Sequence, residues 1–141
     1  MKKNTIIRQI ITKIGRNLLW LTSRNSIDRA TYGLSEKDFD RIEEWIAQKR
    51  WSEDCSMDQV AEALDICHEQ LSAYFILRFG QHFLRWRKEV RIEEAAKLLL
   101  SDRDIPTAII GEAVGISDKS NFRKQFKQVK GCTPSEWRLK H

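Results

Sequence analysis

The stretch Ile-Gly-Glu-Ala-Val-Gly-Ile-Ser at residues 110–117 decides the fold, because the same pattern occurs earlier in the chain. Residues 60–67 read Val-Ala-Glu-Ala-Leu-Asp-Ile-Cys, so a small residue, an aliphatic residue, a turn residue and a cap residue recur fifty positions apart. An apolar stripe and a closing glycine follow each copy at a shift of fifty-one: Leu71, Phe75 and Gly80, then Phe122, Phe126 and Gly131. The pattern is typical of a helix-turn-helix, in which two helices cross closely at a small residue. The repeat therefore predicts two such units.

A single long helix is predicted between the two copies, from His82 to about Ser101. Its apolar residues follow helical spacing in two groups: Phe83, Trp86 and Val90, then Ile92, Ala95, Ala96, Leu98 and Leu99. Two apolar stripes on one helix favour a connector that packs against a different core at each end.

Capping signals mark the other helices. Three pairs have the spacing of a capping box: Ser35 with Asp38, Ser56 with Gln59, and Thr133 with Glu136. We expect Ser117 to cap the helix after Gly115, and Pro106 to lie in the first turn of a short helix. We predict seven helices after residue 34 and no strand.

The predicted fold class is all-α, with two helix-turn-helix subdomains joined by a long linker helix and preceded by a basic amphipathic N-terminal helix. The first helix-turn-helix covers about residues 56–80, the linker helix about 82–101 and the second helix-turn-helix about 105–131. Together they form a domain over residues 35–141, and residues 1–34 form a separate basic segment and linker.

Residues 1–34 carry seven basic residues and one acid, a net charge of +6. Apolar residues recur at helical spacing over residues 6–21, but charges interrupt them too often for a membrane span or a signal peptide. A basic amphipathic helix of this kind could lie on an anionic membrane, on a partner helix or against a second copy of the chain. It could equally pack on the domain that follows it.

Charge is unevenly distributed in the rest of the chain. Residues 51–80 carry a net charge of −5, whereas residues 117–141 carry +5. Because nucleic acids attract basic surfaces, a nucleic-acid footprint is expected at the two ends of the chain. The three cysteines and three histidines show no zinc-type spacing, and no nucleophile–base pair or phosphate loop is apparent. We therefore expect a cytoplasmic protein without a cofactor or a metal, and not an enzyme.

Residues 35–141 resemble the DNA-binding domain of AraC-type (AraC/XylS) transcription regulators. Three strings carry the resemblance: Arg91-Ile92-Glu93-Glu94-Ala95 with Leu98-Leu99, then Ile110-Gly111-x-x-Val114-Gly115-Ile116-Ser117, and Phe122-x-x-x-Phe126-Lys127 with Gly131-x-x-Pro134-Ser135-x-Trp137-Arg138. The resemblance implies bacterial transcription regulation, with double-stranded DNA as the partner and RNA polymerase as a candidate second partner. Around Leu71-Ser72-x-Tyr74 and Phe83-x-x-Trp86, the sequence is similar to family members that follow membrane-embedded sensor domains. The chain could therefore also be part of a longer, membrane-anchored regulator.

The resemblance also implies which side chains contact DNA. In the second unit, Lys119, Ser120 and Lys124 are expected to read base edges, and Arg123 and Lys127 to contact phosphates. In the first unit, the outward residues are predicted to be His68, Glu69, Gln70, Ser72 and Ala73, of which the first four can hydrogen-bond bases. Arg85 on the linker helix is a further candidate for a phosphate contact, and Arg91 is expected to be a structural ion-pair partner for nearby acids and not a reader.

Two functions remain in competition. The first is sequence-specific DNA binding, with the two units in successive major-groove segments and the second unit as the stronger reader. The alternative is a protein-interaction module, in which a degenerate acidic first unit docks a basic partner and DNA contact is minor.

Overall fold

The computed structural model describes residues 33–141, which fold into seven α-helices, one short 3-10 helix and no strand. The α-helices are α1 (Glu36–Ala47), α2 (Met57–Ala63), α3 (His68–Phe79), α4 (Phe83–Ser101), α5 (Thr107–Ala113), α6 (Lys119–Lys130) and α7 (Pro134–Lys140), and the 3-10 helix is Arg50–Ser52. The prediction of an all-helical fold with seven helices after residue 34 is confirmed. The basic helix predicted at residues 6–21 lies outside the described residues. No helix within residues 33–141 is both long enough and apolar enough to cross a membrane.

The described residues divide into two compact units. The first unit comprises residues 33–50 and 55–86, and the second comprises residues 51–54 and 87–141. The chain passes from one to the other within α4, so this helix serves both units, as its two apolar stripes predict. Each unit holds one helix-turn-helix: α2 and α3 in the first, α5 and α6 in the second.

Aromatic side chains fill the core of the first unit. Phe75 lies 4.6 Å from Trp86 and 4.9 Å from Phe83, measured between ring centroids. Trp45 of α1 completes this cluster at 5.9 Å from Phe83. All four side chains are fully or almost fully buried. This burial holds α3 firmly through its apolar side, which leaves its other side available for contacts outside the unit.

The core of the second unit is built from aliphatic residues and two phenylalanines. Ile92 and Leu99 of α4 pack with Ile110 of α5 and with Phe122 and Phe126 of α6, and all five are 2% exposed or less. Gly111 lies where α5 and α6 meet. A Cβ there would lie 2.9 Å from the Ile116 carbonyl oxygen and from the Phe122 ring. The small residue of the repeat is therefore required by the close crossing.

Both helix-turn-helix turns have the same hydrogen-bonding scheme. In the first, Ile66 N–H donates to Ala61 O (3.1 Å) and Asp65 N–H to Glu62 O (3.1 Å). In the second, the bonds at the repeated positions, from residue 116 to 111 and from 115 to 112, measure 2.8 and 3.0 Å. These pairs form a Schellman motif, whose turn residue is left-handed. That residue has φ +54° at Asp65 and φ +91° at Gly115, as the repeat predicts.

The three predicted capping boxes are present at the starts of α1, α2 and α7, and Pro134 occupies the first helical position of α7. Two predicted helix starts are wrong by one residue. Asp118, not Ser117, caps α6, and its carboxylate accepts from the backbone N–H of Asn121 at 2.6 Å. Pro106 is the residue before α5 and not a member of its first turn. The second turn is thus one residue longer than the first, which explains why the repeat shifts from fifty to fifty-one.

Candidate nucleic-acid interface

In the second unit, α6 presents a polar face whose position is set by two buried aromatic residues. Phe122 and Phe126 are 2% and 0% exposed, so the helix cannot rotate without removing them from the core. The five residues predicted to contact DNA, Lys119, Ser120, Arg123, Lys124 and Lys127, are all exposed. The structure therefore brings these five residues together on one outward surface, as the sequence predicts.

The basic side chains of this surface are unpaired within residues 33–141. Lys119, Arg123, Lys124 and Lys127 make no ion pair or side-chain hydrogen bond with any described residue. Lys130, at the end of the same helix, differs because its ammonium group lies 2.5 Å from a carboxylate oxygen of Glu93 and 5.1 Å from the centroid of the Trp137 ring. Lys130 is thus held inside the unit, while the other four cations can neutralise an external polyanion.

Two further polar side chains on α6 belong to this surface and are not among the residues predicted to contact DNA. Asn121 and Gln128 are exposed, and each lies within one turn or little more of Lys124 along the helix. Asn121 accepts a hydrogen bond from the Gln125 side-chain amide at 3.0 Å. Amide side chains can bond an adenine edge, so helical spacing from Lys124 is the signal that could have found them.

In the first unit, the residues expected to read bases are already engaged at the start of α3. His68 Nδ1 lies 2.6 Å from a carboxylate oxygen of Asp58. The side-chain oxygen of Gln70 accepts from the backbone N–H of Cys67 (3.0 Å), and its amide nitrogen donates to Gly33 O (3.0 Å). Both side chains therefore stabilise the turn and the helix start before any contact with DNA.

Glu69 is also bound to the first turn of α3. Hydrogen bonds from its own backbone N–H and from the Cys67 thiol hold the pKa of this carboxyl below its usual value, and the nearby His68 acts in the same direction. The carboxylate is fully exposed and remains charged at neutral pH. An acid in the first turn favours the helix dipole, so Glu69 stabilises the helix although its charge repels phosphate.

The predicted outward face of α3 needs two corrections. The prediction that Ala73 faces outward is wrong, because this residue is only 7% exposed. The reason is that α3 is buried over a wide arc, in which Leu71, Tyr74 and Phe75 are each 1% exposed or less. Ser72 is half-buried, and Ile76 rather than Ala73 is exposed one turn further along.

The charge of the first helix-turn-helix is less negative than the sequence count indicates. Glu53 and Asp54 fall in the second unit, which leaves residues 55–80 with four acids and one base, a net charge of −3. The single base, Arg78, lies 3.0 Å from a carboxylate oxygen of Glu43. Arg85, the remaining candidate of this unit, is exposed in the first turn of α4. The contrast in charge between residues 55–80 and residues 117–141 is reduced but keeps its sign.

Arg91 has a structural role, which it fulfils through backbone carbonyls. Its guanidinium donates to the backbone carbonyls of Trp51 (2.8 Å) and Glu53 (2.9 Å), which fixes residues 51–54 on the second unit. There the Ser52 carbonyl comes so close to Gly115 that a Cβ at that glycine would lie 2.4 Å from the oxygen.

The arrangement suits polar recognition better than catalysis. Exposed hydrogen-bond donors on α6 match the acceptors that phosphates and guanine bases present. Within residues 33–141, no three His, Cys, Asp or Glu side chains are grouped so that they could hold a metal ion.

A family model described as a helix-turn-helix domain matches residues 60–140. The arabinose operon regulatory protein of Escherichia coli is 38% identical over 87 residues, which cover 60% of this chain and 30% of that protein. The protein of the same name from Salmonella typhimurium is 39% identical over 79 residues, covering 56% of this chain and 28% of that protein. The chain thus spans less than a third of the length of these relatives.

Solved structures show the same fold. The C-terminal domain of AraT, a response regulator from Geobacillus stearothermophilus, superposes with a TM-score of 0.67 at 30% identity, covering 76% of this chain and 87% of that one. The C-terminal domain of the two-component response regulator yesN from Fusobacterium nucleatum gives a TM-score of 0.63 at 26% identity, covering 72% and 98% respectively.

Proposed function

The chain belongs to the AraC-type helix-turn-helix family, and from that premise we propose that it is a bacterial transcription regulator that binds specific DNA sequences through two helix-turn-helix units. The family is one of DNA-binding domains of transcription regulators and not of enzymes. The chain then acts in the cytoplasm, on double-stranded DNA. Contact with RNA polymerase remains a prediction.

The observation that carries this proposal is the surface of α6. Four basic side chains, Lys119, Arg123, Lys124 and Lys127, are exposed and have no partner among the described residues, on a helix held by Phe122 and Phe126. Exposed cations on a rigid helix that can enter the major groove provide both affinity and register. We propose that Lys119, Ser120 and Lys124 read base edges, while Arg123 and Lys127 contact phosphates.

We further propose that the second unit is the stronger reader. The first turn of α3 offers His68 and Gln70, which are engaged in bonds within their own unit. Reading with these side chains would require breaking those bonds, and Glu69 adds repulsion from phosphate. Ser72 and Arg85 are the remaining candidates of the first unit for contact with DNA.

Salt dependence tests the proposal against its rival. Binding through five or six phosphates predicts a slope of about −5 in a plot of log affinity against log salt concentration, measured by fluorescence anisotropy on a selected site. A matched control is the same measurement on a scrambled duplex, which should give weaker binding at every salt concentration. A flat response and equal affinity for both duplexes would favour the protein-interaction module, whose acidic first unit docks a basic partner.

A further inference from the structure

Asn121 on α6 is held in place through both its backbone and its side chain. Its backbone N–H donates to the Asp118 carboxylate at 2.6 Å, and its side-chain oxygen accepts from the Gln125 amide at 3.0 Å. Gln125 is half-buried, so packing within the unit restricts it, whereas Asn121 is exposed. The exposed amide of Asn121 therefore has a defined orientation before any ligand is bound.

The rest of this amide is available for an external partner. Its nitrogen makes no hydrogen bond with any residue within 33–141, and its oxygen keeps a second lone pair besides the one that Gln125 engages. One donor beside one acceptor matches N7 and the N6 amino group of adenine, which an asparagine can bond together in the major groove. Guanine presents two acceptors at the same edge and does not match.

The equivalent residue of the first unit has a different role. Gln70 and Asn121 are each the third residue of their helix, at the repeat shift of fifty-one. The Gln70 oxygen accepts from the Cys67 backbone N–H, and its nitrogen donates to Gly33 O, so this amide serves the helix start. In α6 the Asp118 carboxylate caps the helix, and the side chain of Asn121 is left out of the cap.

Asn121 also lies in the part of α6 that is best placed to reach bases. It follows Lys119 and Ser120 in the first turn, and in helix-turn-helix proteins the N-terminal residues of the recognition helix contact base edges. Gln128, the other exposed amide of this surface, lies about two turns further along, and its side chain forms no hydrogen bond among the described residues. Position and orientation therefore favour Asn121 over Gln128 as a reader.

We propose that Asn121 is a further specificity-determining residue, which reads one adenine in the major groove, and that Gln125 is a positioning residue that holds the Asn121 amide for this contact. This inference rests on the proposed DNA-binding function and deepens it, because it names a base that α6 recognises. The bond from Gln125 restricts the Asn121 side chain before binding, so less entropy is lost when the adenine contact forms.

Three alanine variants of the full chain test this inference: Asn121→Ala, Gln125→Ala and, as the matched control, Gln128→Ala. Each removes one amide from α6 and leaves Phe122 and Phe126 in the core, and thermal melting checks that each variant folds. Sequence selection from a random duplex pool with the wild-type chain identifies the preferred site. Affinities for single-base variants of that site then give the preference at each base pair.

Asn121→Ala should lose a preference for adenine of roughly 5- to 150-fold at one base pair, the range that a bidentate base contact provides, and should keep the other preferences. Gln125→Ala should reduce the same preference by roughly 2- to 10-fold, because the side chain must then be ordered on binding. Gln128→Ala should leave it unchanged. Replacing that adenine by 7-deazaadenine, which lacks N7, should weaken binding of the wild type but not of Asn121→Ala.

An Asn121→Ala protein that keeps every wild-type base preference would overturn the inference, as would equal sensitivity of both proteins to 7-deazaadenine. If Gln125→Ala lowered the melting temperature without changing the adenine preference, Gln125 would not be a positioning residue. A wild-type chain that binds all duplexes equally would refute the proposed function itself. That result differs from failure of the inference, in which specific binding does not depend on Asn121.

Discussion

At the scale of single residues, we propose that four exposed cations of α6 have different roles. The family resemblance assigns Lys119 and Lys124 to base edges, and we propose that Arg123 and Lys127 contact phosphates. Base contacts carry sequence information and phosphate contacts do not, so substitutions in the two groups should have different signatures.

We predict that Lys124→Ala and Lys119→Ala each weaken specific binding by about 1–3 kcal/mol and relax the base preference. Arg123→Ala and Lys127→Ala should weaken binding to target and scrambled duplexes about equally, which makes them the matched controls. Affinity titrations of the four variants on both duplexes measure this. A Lys124→Ala protein that keeps the wild-type ratio of target to scrambled affinity would contradict the assignment.

Substitutions of the two left-handed turn residues, Asp65 and Gly115, should change the stability of the fold in opposite directions. Asp65 holds a left-handed conformation at φ +54°, which costs a side-chain-bearing residue about 1 kcal/mol. Asp65→Gly should therefore raise the free energy of unfolding by about 0.5–1 kcal/mol. Gly115→Ala should lower it by more than about 1–2 kcal/mol, because the left-handed strain adds to the collision with the Ser52 carbonyl.

Urea unfolding of both variants, followed by circular dichroism, measures these changes. Gly80→Ala is a useful comparison, because Gly80 is also left-handed at φ +68° but a Cβ there meets no atom within 4 Å. It should cost less than Gly115→Ala. If the two glycine variants were equally destabilised, the contact with Ser52 would have no energetic weight.

At the scale of elements, α3 and α6 have the same place in the repeat but present different surfaces. The start of α6 is capped by Asp118 and leaves its cations unpaired within the described residues, while the start of α3 uses Gln70 and Glu69 in its own first turn. A helix whose polar side chains already form hydrogen bonds gains less free energy on binding DNA, because the existing bonds must be exchanged.

Glu69 distinguishes between two roles for α3. If it accepts from a cytosine amino group, Glu69→Ala should cost affinity at one base pair only. If it only repels phosphate, Glu69→Lys should raise affinity for all DNA and steepen the salt slope by about one. We expect the second outcome, because the pKa of this exposed carboxyl is lowered, so that it carries its charge next to any phosphate. Binding to a panel of single-base variants of the site separates the two roles.

The elements themselves could largely be predicted from the sequence, because local rules set them. The repeat around Gly111 and Gly115 and the three capping boxes depend on neighbours within a few residues. Two helix starts were wrong by one residue; at α6, Ser117 and Asp118 are equally good caps and only the length of the turn decides between them. A narrow apolar stripe predicts that Ala73 faces outward, whereas α3 is buried over a wide arc.

At the scale of the whole molecule, the contacts that could not be predicted from the sequence join residues far apart in the chain. The bond from Gln70 to Gly33 and the bonds from Arg91 to residues 51 and 53 join positions more than thirty residues apart. Because of the second contact, Glu53 and Asp54 belong to the second unit, so counting charge along the chain overstated the acidity of the first. The α6 surface was predictable because it depends on one helix only.

We propose that this chain reads DNA mainly through its second unit. Hydroxyl-radical footprinting of the full chain on a selected site tests it most directly, with Lys124→Ala to identify the segment read by α6. We predict strong protection of that segment, weaker protection of its neighbour, and loss of the strong protection in Lys124→Ala. Equal protection of both segments, with Glu69→Ala abolishing recognition, would show that the first unit is a full reader and would contradict the account.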